Sequence, residues 1–252
     1  MINILLSGAN GKMGQAVTRV AAESENACVV AGFDINTEQK SNYPVYNNLS
    51  DVKEKIDVII DFSHPSMLDS ILDYATANSI PAVICTTGLS KEQISRIEYE
   101  SKNIPIFFSA NMSIGVNLLI DLVCRAAKIL ESNFDIEIIE KHHNQKLDAP
   151  SGTALAIADA LSQAVSYNPE YVYDRHSVRK KREKQEIGLH AVRGGTIVGE
   201  HDVIFAGTDE VIEVKHSATS KEVFAVGAVR AAIFIKDLNP GLYAMKNLIA
   251  QQ

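Results

Sequence analysis

The sequence lacks the features that mark several large classes of protein. It has only three cysteines, Cys28, Cys85 and Cys124, and their spacing fits neither a disulfide framework nor a metal-binding motif. A reducing cytoplasm is therefore the expected location. Low-complexity tracts are also missing, so the 252 residues are expected to fold as an ordinary globular chain of one large or two modest domains.

Long apolar runs and an excess of positive charge are missing as well. No run approaches the roughly 18 apolar residues that a membrane helix needs, and no basic region precedes the first apolar run, 2–6. We therefore expect neither a signal peptide nor a membrane segment. The net charge of −7 argues against nucleic acid as a partner, because Lys and Arg must neutralise its phosphates. One basic stretch, 175–184, is expected to be a solvated loop or helix face.

The first half of the chain alternates short apolar runs with segments of helical pattern. The runs do not alternate with polar residues, which is typical of strands buried on both faces of a parallel sheet. They are 2–6, 28–33, 58–62, 82–85 and 106–108. The helical segments are 13–23, 66–78 and 90–102, the last of which begins with a capping-box pattern. This order predicts an α/β fold with a Rossmann-type, doubly wound parallel sheet that binds ligands at its carboxyl edge.

The second half has a different pattern. Helices are predicted at 116–131 and 151–165, with an alternating, strand-like segment at 134–140 between them. Further strand-like runs, separated by glycine turns, are 187–192, 196–198, 202–206 and 211–216. These runs predict a second, α+β domain with a mixed or antiparallel sheet. We expect its open face to pack against another subunit.

The last part of the chain is expected to return to the first domain. A helix is predicted at 222–236, and Pro240 and Gly241 then break it before a short C-terminal helix. The expected dinucleotide-binding domain is therefore 1–113 together with 221–252. The expected substrate-binding and oligomerisation domain is 114–220.

A glycine-rich turn follows the first strand and opens the first helix. It consists of Gly8, Ala9, Asn10, Gly11, Lys12, Met13 and Gly14. Tight turns need residues without a Cβ, and the amides at the positive end of the helix can then bind a pyrophosphate. Asp34 ends the second strand, where an acid can accept hydrogen bonds from the adenosine ribose. A structural turn with a surface aspartate is the alternative.

The residues after Asp34 bear on the choice of cofactor. Sites for NADP usually have an arginine here for the 2′-phosphate, whereas this chain has Ile35, and Lys40 is the only early cation that could compensate. Asp34 would also repel that phosphate. NADH is therefore favoured over NADPH, although dual use stays open.

Polar loops follow three later strands, where the nicotinamide half of a dinucleotide would bind. One contains Thr86 and Thr87, directly after Cys85. Another consists of Ser109, Ala110, Asn111 and Met112, and a third candidate is Phe62-Ser63-His64. Each could be an ordinary loop, and its position in the predicted fold is what favours a binding role.

The most informative stretch is 140–154, which reads EKHHNQKLDAPSGTA. His142, His143 and Lys146 lie at the end of a predicted strand, and Ser151, Gly152 and Thr153 begin a helix. Helix-terminal amides with the two hydroxyls can bind a carboxylate, and histidine suits proton delivery near neutral pH. The histidines could instead be surface residues. They could also bind a metal, but no third ligand stands at a suitable spacing, so no metal is expected.

With these motifs the chain resembles the 4-hydroxy-tetrahydrodipicolinate reductase (dihydrodipicolinate reductase) family, which acts on the route to diaminopimelate and lysine. The resemblance runs nearly end to end, and 140–154 is its most specific part. Supporting segments are 8–14, 86–88, 111–117, 193–201 and 224–230. The resemblance implies NADH- or NADPH-dependent reduction of a cyclic imine dicarboxylate to tetrahydrodipicolinate, with loss of water, in a homotetramer.

The resemblance also implies roles for individual residues. His142 matches the proton donor and Lys146 the lysine that works with it, while His143, Gly152 and Thr153 match substrate contacts. The matching nucleotide positions are 8–13, Asp34, 85–87 and 109–112. The chain departs from the family pattern at Ile35 and His64, where basic residues are frequent, and at Lys221, which replaces an arginine.

Two other functions stay open at this point. Amino-acid and sugar dehydrogenases also begin with a Rossmann domain, but they lack the His-His-x-x-Lys stretch joined to Pro-Ser-Gly-Thr. A dinucleotide sensor without activity would need the glycine turn, but it would have no use for a proton donor beside an anion site.

Overall fold

The computed structural model describes residues 1–250, and the chain forms two compact units. The first unit comprises Met1–Ile114 and the described residues from Lys221 onward, and the second comprises Gly115–Ser220. The strands are β1 Ile2–Ser7, β2 Ala27–Phe33, β3 Val45–Tyr46, β4 Val58–Asp61, β5 Ala82–Ile84, β6 Pro105–Phe108, β7 Asp135–His142, β8 Glu170–Val172, β9 Glu186–Arg193, β10 Gly199–Ala206, β11 Val211–Ala218 and β12 Gly241–Tyr243. The helices are α1 Lys12–Ala22, α2 Leu68–Ala77, α3 Lys91–Glu100, α4 Ile114–Leu130, α5 Gly152–Ala164, α6 Glu222–Ile235 and α7 Met245–Ile249.

The first unit is built on a seven-stranded parallel sheet in the order β12-β6-β5-β4-β1-β2-β3. Its two faces bury separate hydrophobic clusters, because successive side chains of a strand point to opposite sides. Ile4 and Leu6 of β1 pack with α1 and α6, whereas Leu5 packs with α2. Burial on both faces explains why these strands are mostly apolar along their length. The predicted doubly wound sheet is confirmed.

Local signals for the helices of this unit were reliable, but two short strands were missed. Ser90 caps α3 as expected: its Oγ accepts a hydrogen bond from Gln93 N at 3.3 Å, and its own N–H donates to Gln93 Oε1 at 3.0 Å. The strands β3 and β12 lie at the two edges of the sheet and have two and three residues. Segments this short have no periodicity to detect.

The second unit has a five-stranded mixed sheet in the order β11-β10-β7-β9-β8. The central strand β7 is parallel to β9 and antiparallel to β10. Its residues alternate in burial: Ile136 and Ile138 are buried with side chains of α4 and α5. The predicted mixed sheet is confirmed. The prediction of a strand at 196–198 is wrong, because β10 begins to pair with β11 only at Gly199. The sequence did not predict β8, because a strand of three residues has no detectable period.

The basic stretch 175–184 is a loop, but two of its arginines are not simply solvated. Arg175 forms ion pairs of 2.6 Å with both Glu137 and Glu186, and Arg182 pairs with Glu137 at 3.0 Å. The hydrogen bond from Arg175, acting against burial, lowers the pKa of the buried Glu186 carboxyl to about 2. The expectation of a solvated face missed this because Glu137 comes from β7, 38 residues before Arg175, and because the burial of Glu186 depends on the sheet.

Within residues 1–250, no helix combines the length and the apolar character that crossing a membrane requires. Cys28, Cys85 and Cys124 are free thiols in this structure.

Candidate active site

The glycine turn between β1 and α1 leaves no room for a side chain at Gly8 or Gly14. Gly8 has a φ of +76°, and a Cβ built on it would lie 2.7 Å from the carbonyl oxygen of Phe62. A Cβ at Gly14 would collide with the carbonyl oxygen of Gly8. Gly11 is the N-cap residue of α1, and no side chain caps this helix. The first amides of α1 therefore form a cradle suited to a phosphate-bearing ligand.

Asp34, at the end of β2, is tied to this turn. Its Oδ2 accepts a hydrogen bond of 2.9 Å from the amide of Asn10, and its Oδ1 accepts one of 3.0 Å from Asn36 N. The Asn10 side chain in turn donates to the carbonyl oxygens of Asn36 and Glu38, at 2.6 and 2.8 Å. These bonds hold the carboxylate beside the glycine turn, as a ribose-binding acid requires.

A cavity of about 390 Å³ lies at the carboxyl ends of the strands of the first unit. Its lining includes six of the predicted cofactor residues: Met13, Cys85, Thr86, Thr87, Ala110 and Met112. Phe62, Ser63, Lys221 and Phe224 complete it. Burial, with a smaller contribution from Asp61, raises the pKa of the Cys85 thiol well above its usual value. Cys85 therefore acts as an apolar wall rather than as a nucleophile.

Two side chains of the cavity are oriented by Asp61, a fully buried carboxylate at the end of β4 that sequence reasoning missed. Its Oδ1 accepts hydrogen bonds from the amide and hydroxyl of Ser63, at 3.1 and 2.6 Å. Its Oδ2 accepts one from the Thr86 hydroxyl at 2.6 Å. An acidic residue closing an otherwise apolar strand was the signal available for it.

The loop 109–112, which is expected to contact the cofactor, is stabilised by its own side chains. The Ser109 hydroxyl donates to the carbonyl oxygen of Asn111 at 2.8 Å, and Asn111 Oδ1 accepts from Ser113 N at 2.9 Å. Ala110 and Met112 are the members of this loop that line the cavity. Together the glycine cradle, the acid and the cavity fit the two ends of a dinucleotide.

In the second unit, Ser151 begins α5 as its N-cap residue. Its hydroxyl accepts a hydrogen bond from Ala154 N at 3.1 Å and is bonded to His201 Nε2 at 3.0 Å. Ser151 is buried and Gly152 is exposed. A Cβ added to Gly152 would meet no atom within 4 Å. These two bonds show that the Ser151 hydroxyl organises the turn; its predicted contact with a substrate stays a prediction.

The loop between β7 and α5 carries His143 and Lys146, both half-buried. Lys146 Nζ lies 2.8 Å from Asp148 Oδ1. The pKa of Asp148 is held below its usual range by this ammonium group, with a smaller contribution from the amide of Gly152. This part of the loop therefore stabilises a carboxylate next to the start of α5.

His142 ends β7 and is nearly buried, with its Nδ1 2.6 Å from Glu140 Oε2. Arg193 also bonds to Glu140, and the ring of His201 packs edge-on against that of His142 at 5.3 Å. Burial lowers the pKa of His201 to about 4, so this imidazole is uncharged near neutral pH. Of the two histidines, His142 lies against a carboxylate, whereas His201 bonds to the hydroxyl of Ser151.

Sequence reasoning gave no role to Glu140, Arg193 or His201. For Glu140 a signal existed, because strand alternation places it on the same buried face as Ile138 and His142. Arg193 and His201 come from β9 and β10, so their proximity depends on strand pairing. Within the described residues, no group of three or more His, Cys, Asp or Glu side chains is arranged to hold a metal.

Comparison with known proteins extends these observations. Family models described as dihydrodipicolinate reductase, N-terminus and C-terminus, match residues 2–112 and 115–249. A 4-hydroxy-tetrahydrodipicolinate reductase of Caldanaerobacter subterraneus subsp. tengcongensis is 55% identical, over 99% of this chain and 98% of the relative. The corresponding protein of Clostridium tetani is 51% identical, over 97% of this chain and 96% of the relative.

A solved structure agrees in fold. The dipicolinate-bound dihydrodipicolinate reductase from Paenisporosarcina sp. TG-14 matches with a TM-score of 0.83 and 26% identity, over 98% of this chain and 99% of that chain. The parallel sheet, its glycine cradle and the adjoining cavity define an oxidoreductase that uses a nicotinamide dinucleotide. The chain belongs to the dihydrodipicolinate reductase family.

Proposed function

We propose that the chain reduces 4-hydroxy-tetrahydrodipicolinate to tetrahydrodipicolinate, with loss of water, in diaminopimelate and lysine biosynthesis. The observation that carries this proposal is the 140–154 segment, which joins an imidazole, an ammonium group and an amide-rich helix start in one unit. A dicarboxylate needs an anion site, and its reduction needs a proton. The names of the relatives, which match over the full chain, support the same reaction.

The first unit is the proposed dinucleotide-binding domain, 1–113 with 221–252. When bound, the reduced nicotinamide supplies the hydride. The residues from Gly8 to Met13 would hold the pyrophosphate, and Asp34 the adenosine ribose. The proposed contacts of the nicotinamide half are Cys85, Thr86, Thr87, Ser109, Ala110, Asn111 and Met112.

The second unit, 114–220, is the proposed substrate domain. A substrate carboxylate would be bound at the start of α5 by Ser151, Gly152 and Thr153, with positive charge from Lys146 and His143. His142 would donate a proton to the substrate, with Lys146 assisting it. In well-aligned reactions, holding the substrate at an oriented site lowers the activation free energy by roughly 7–11 kcal/mol. A placed acid increases the rate by about 10²–10⁴-fold, which corresponds to about 3–5 kcal/mol. Positioning should therefore be the larger contribution.

NADH is the proposed preferred cofactor. Asp34 would repel a 2′-phosphate, and the residue after it, Ile35, is 81% exposed and offers no charge. Lys40 already has a counter-ion in Glu38, at 3.5 Å. We therefore expect a modest preference for NADH rather than exclusion of NADPH.

Parallel titrations with NADH and NADPH, using freshly generated dihydrodipicolinate, test both the reaction and the preference. We expect both cofactors to be consumed, with the higher kcat/KM for NADH. A chain that binds NADH without consuming it would be a sensor, and one that oxidises only amino acids or sugars would be a different dehydrogenase. A large advantage for NADPH would contradict the role given to Asp34 and Ile35.

Gly152→Ala separates ligand binding from folding. Alanine is favoured over glycine in a helix by about 1 kcal/mol, and its methyl group would meet no atom of the chain within 4 Å. We therefore expect Tm to stay constant or rise. The same methyl group would obstruct a carboxylate that approaches the backbone, and a steric cost of about 1.4 kcal/mol corresponds to a tenfold higher KM for the substrate. Steady-state kinetics and thermal unfolding check this, and an unchanged KM would contradict the proposed contact.

We also propose that four copies assemble through the outer face of the second sheet, and that the enzyme works in the cytoplasm. That face carries partly exposed apolar side chains, among them Ile139, Val192 and Ile204, beside charged ones such as Glu200 and Asp202. Burial of such a mixed surface is typical of subunit interfaces. The three free thiols suit a reducing compartment. Sedimentation equilibrium tests the stoichiometry, and a monomer at micromolar concentration would contradict it.

A further inference from the structure

Glu140 is a buried carboxylate on β7 that holds two parts of the substrate unit at once. Its side chain is 1% exposed. One oxygen, Oε2, accepts a hydrogen bond of 2.6 Å from His142 Nδ1, and the other, Oε1, accepts one of 3.0 Å from the amide of Ser151. His142 is the proposed proton donor, and Ser151 begins the helix whose amides form the proposed anion site. One carboxylate therefore joins the two groups that the reaction needs.

Arg193, at the end of β9, offsets the electrostatic cost of this burial. Its Nη1 and Nη2 each donate a hydrogen bond of 2.7 Å to a different oxygen of Glu140, which is a bidentate pair. Nη2 also donates to the carbonyl oxygen of Asp148 at 2.7 Å, so the same guanidinium holds the loop before Ser151. Burial alone would raise the pKa of Glu140, but the bonds from Arg193, His142 and Ser151 hold it below its usual range. Glu140 is therefore ionised at neutral pH.

An ionised carboxylate on Nδ1 fixes the orientation of an imidazole ring, and it leaves Nε2 as the nitrogen that can face a substrate. Gly199 lies beside this nitrogen: a Cβ there would be 3.1 Å from Nε2. A small residue at this position therefore keeps that side of the ring open.

We propose that Glu140, held by Arg193, is a positioning residue that orients His142 for proton donation and fixes it relative to the anion-binding start of α5. This inference rests on the proposed function. It gives roles to two residues, Glu140 and Arg193, that touch neither substrate nor cofactor in that proposal.

A buried ion pair could also serve the sheet alone, and the chain offers a matched control for that case. Glu186 opens β9 in the same unit, its side chain is fully buried, and it pairs with Arg175 at 2.6 Å and Lys180 at 3.1 Å. In the part of the chain that the structure describes, the ion-pair partners of the Glu186 carboxylate are an arginine and a lysine, and neither is a histidine. Glu186→Gln therefore reproduces the loss of a buried charge without the loss of the histidine contact.

The experiment compares Glu140→Gln with Glu186→Gln in the full-length enzyme. We expect Glu140→Gln to lower kcat by about 10- to 100-fold, by analogy with the loss of carboxylates that orient metal-binding histidines. The dissociation constants of NADH and of the probe dipicolinate should stay near the wild-type values, because the amide oxygen of the substituted side chain could still accept from the Ser151 amide. The solvent deuterium isotope effect on kcat should increase, because proton transfer becomes slower. Glu186→Gln should lower Tm and leave kcat and the isotope effect unchanged.

A spectroscopic readout separates this inference from the reaction itself. The short bond from Nδ1 to Glu140 should produce a far-downfield proton resonance in the wild-type protein, absent in both Glu140→Gln and His142→Asn. If wild-type enzyme fails to reduce the substrate but shows this resonance, the proposed function fails and the positioning contact stands. The inference is overturned if Glu140→Gln turns over at the wild-type rate, or if Glu186→Gln loses as much kcat.

Discussion

His142→Asn is expected to lower kcat by about 10²–10⁴-fold, the usual contribution of a positioned general acid. Asparagine can still donate a hydrogen bond to Glu140, so the buried carboxylate keeps a partner, but it cannot deliver a proton. The dissociation constant of NADH should not change, because the residues proposed to bind it belong to the other unit. Stopped-flow measurement of NADH oxidation, with NADH binding measured by fluorescence, checks both statements.

His143→Asn is the matched control for this variant. His143 is the next residue in the chain and is half-buried, but it is a proposed substrate contact rather than the proton donor. Its replacement should raise KM for the substrate more than it lowers kcat. Wild-type turnover in His142→Asn, or equal losses of kcat in both variants, would remove His142 from its proposed role.

Lys146→Met is expected to lower kcat/KM by about 10- to 100-fold, since a hydrogen bond to a charged group contributes roughly 1.5–3 kcal/mol. Both kcat and the affinity for dipicolinate should fall, because the ammonium group would supply charge and orientation together. Methionine keeps most of the aliphatic length of the side chain and removes its charge. Steady-state kinetics and calorimetric titration with dipicolinate measure the two effects.

Asp148→Asn tests whether that loss comes from the ligand or from the loop. Lys146 lies 2.8 Å from Asp148 in this structure, so its replacement breaks an internal ion pair as well. Asp148→Asn breaks the same pair but leaves the ammonium group, and dipicolinate should then bind as tightly as before or more tightly. If the two variants lose affinity equally, the lysine stabilises the loop and does not bind the substrate.

Most of the first unit could be predicted because its signals are local. Strands such as β5 and β6 are buried on both faces, so their whole length is apolar. The turn at Gly8 must lack a Cβ. The edge strands β3 and β12 could not be predicted. Their pairing depends on neighbours that are far away in the chain, and two or three residues contain no period of their own.

The candidate site divides in the same way. His142, Lys146 and the start of α5 lie within one short segment, so residue types and spacing alone were enough to suggest an acid beside an anion site. Asp61 and Glu140 were missed because their functions depend on contacts. Asp61 bonds to Ser63 and Thr86, and Glu140 bonds to Arg193, which is 53 residues away in the chain.

By itself, the sequence determined the class of fold, the glycine cradle, the acid proposed to bind a ribose and the segment proposed to bind and protonate a substrate. Each of these follows from backbone sterics, burial or helix-end charge within a few consecutive residues. Only the tertiary structure decided which buried charges neutralise one another: Glu140 with Arg193, and Glu186 with Arg175. Ion pairs of this kind are set by strand order and register, because a charge can be buried only where the fold brings an opposite charge to meet it.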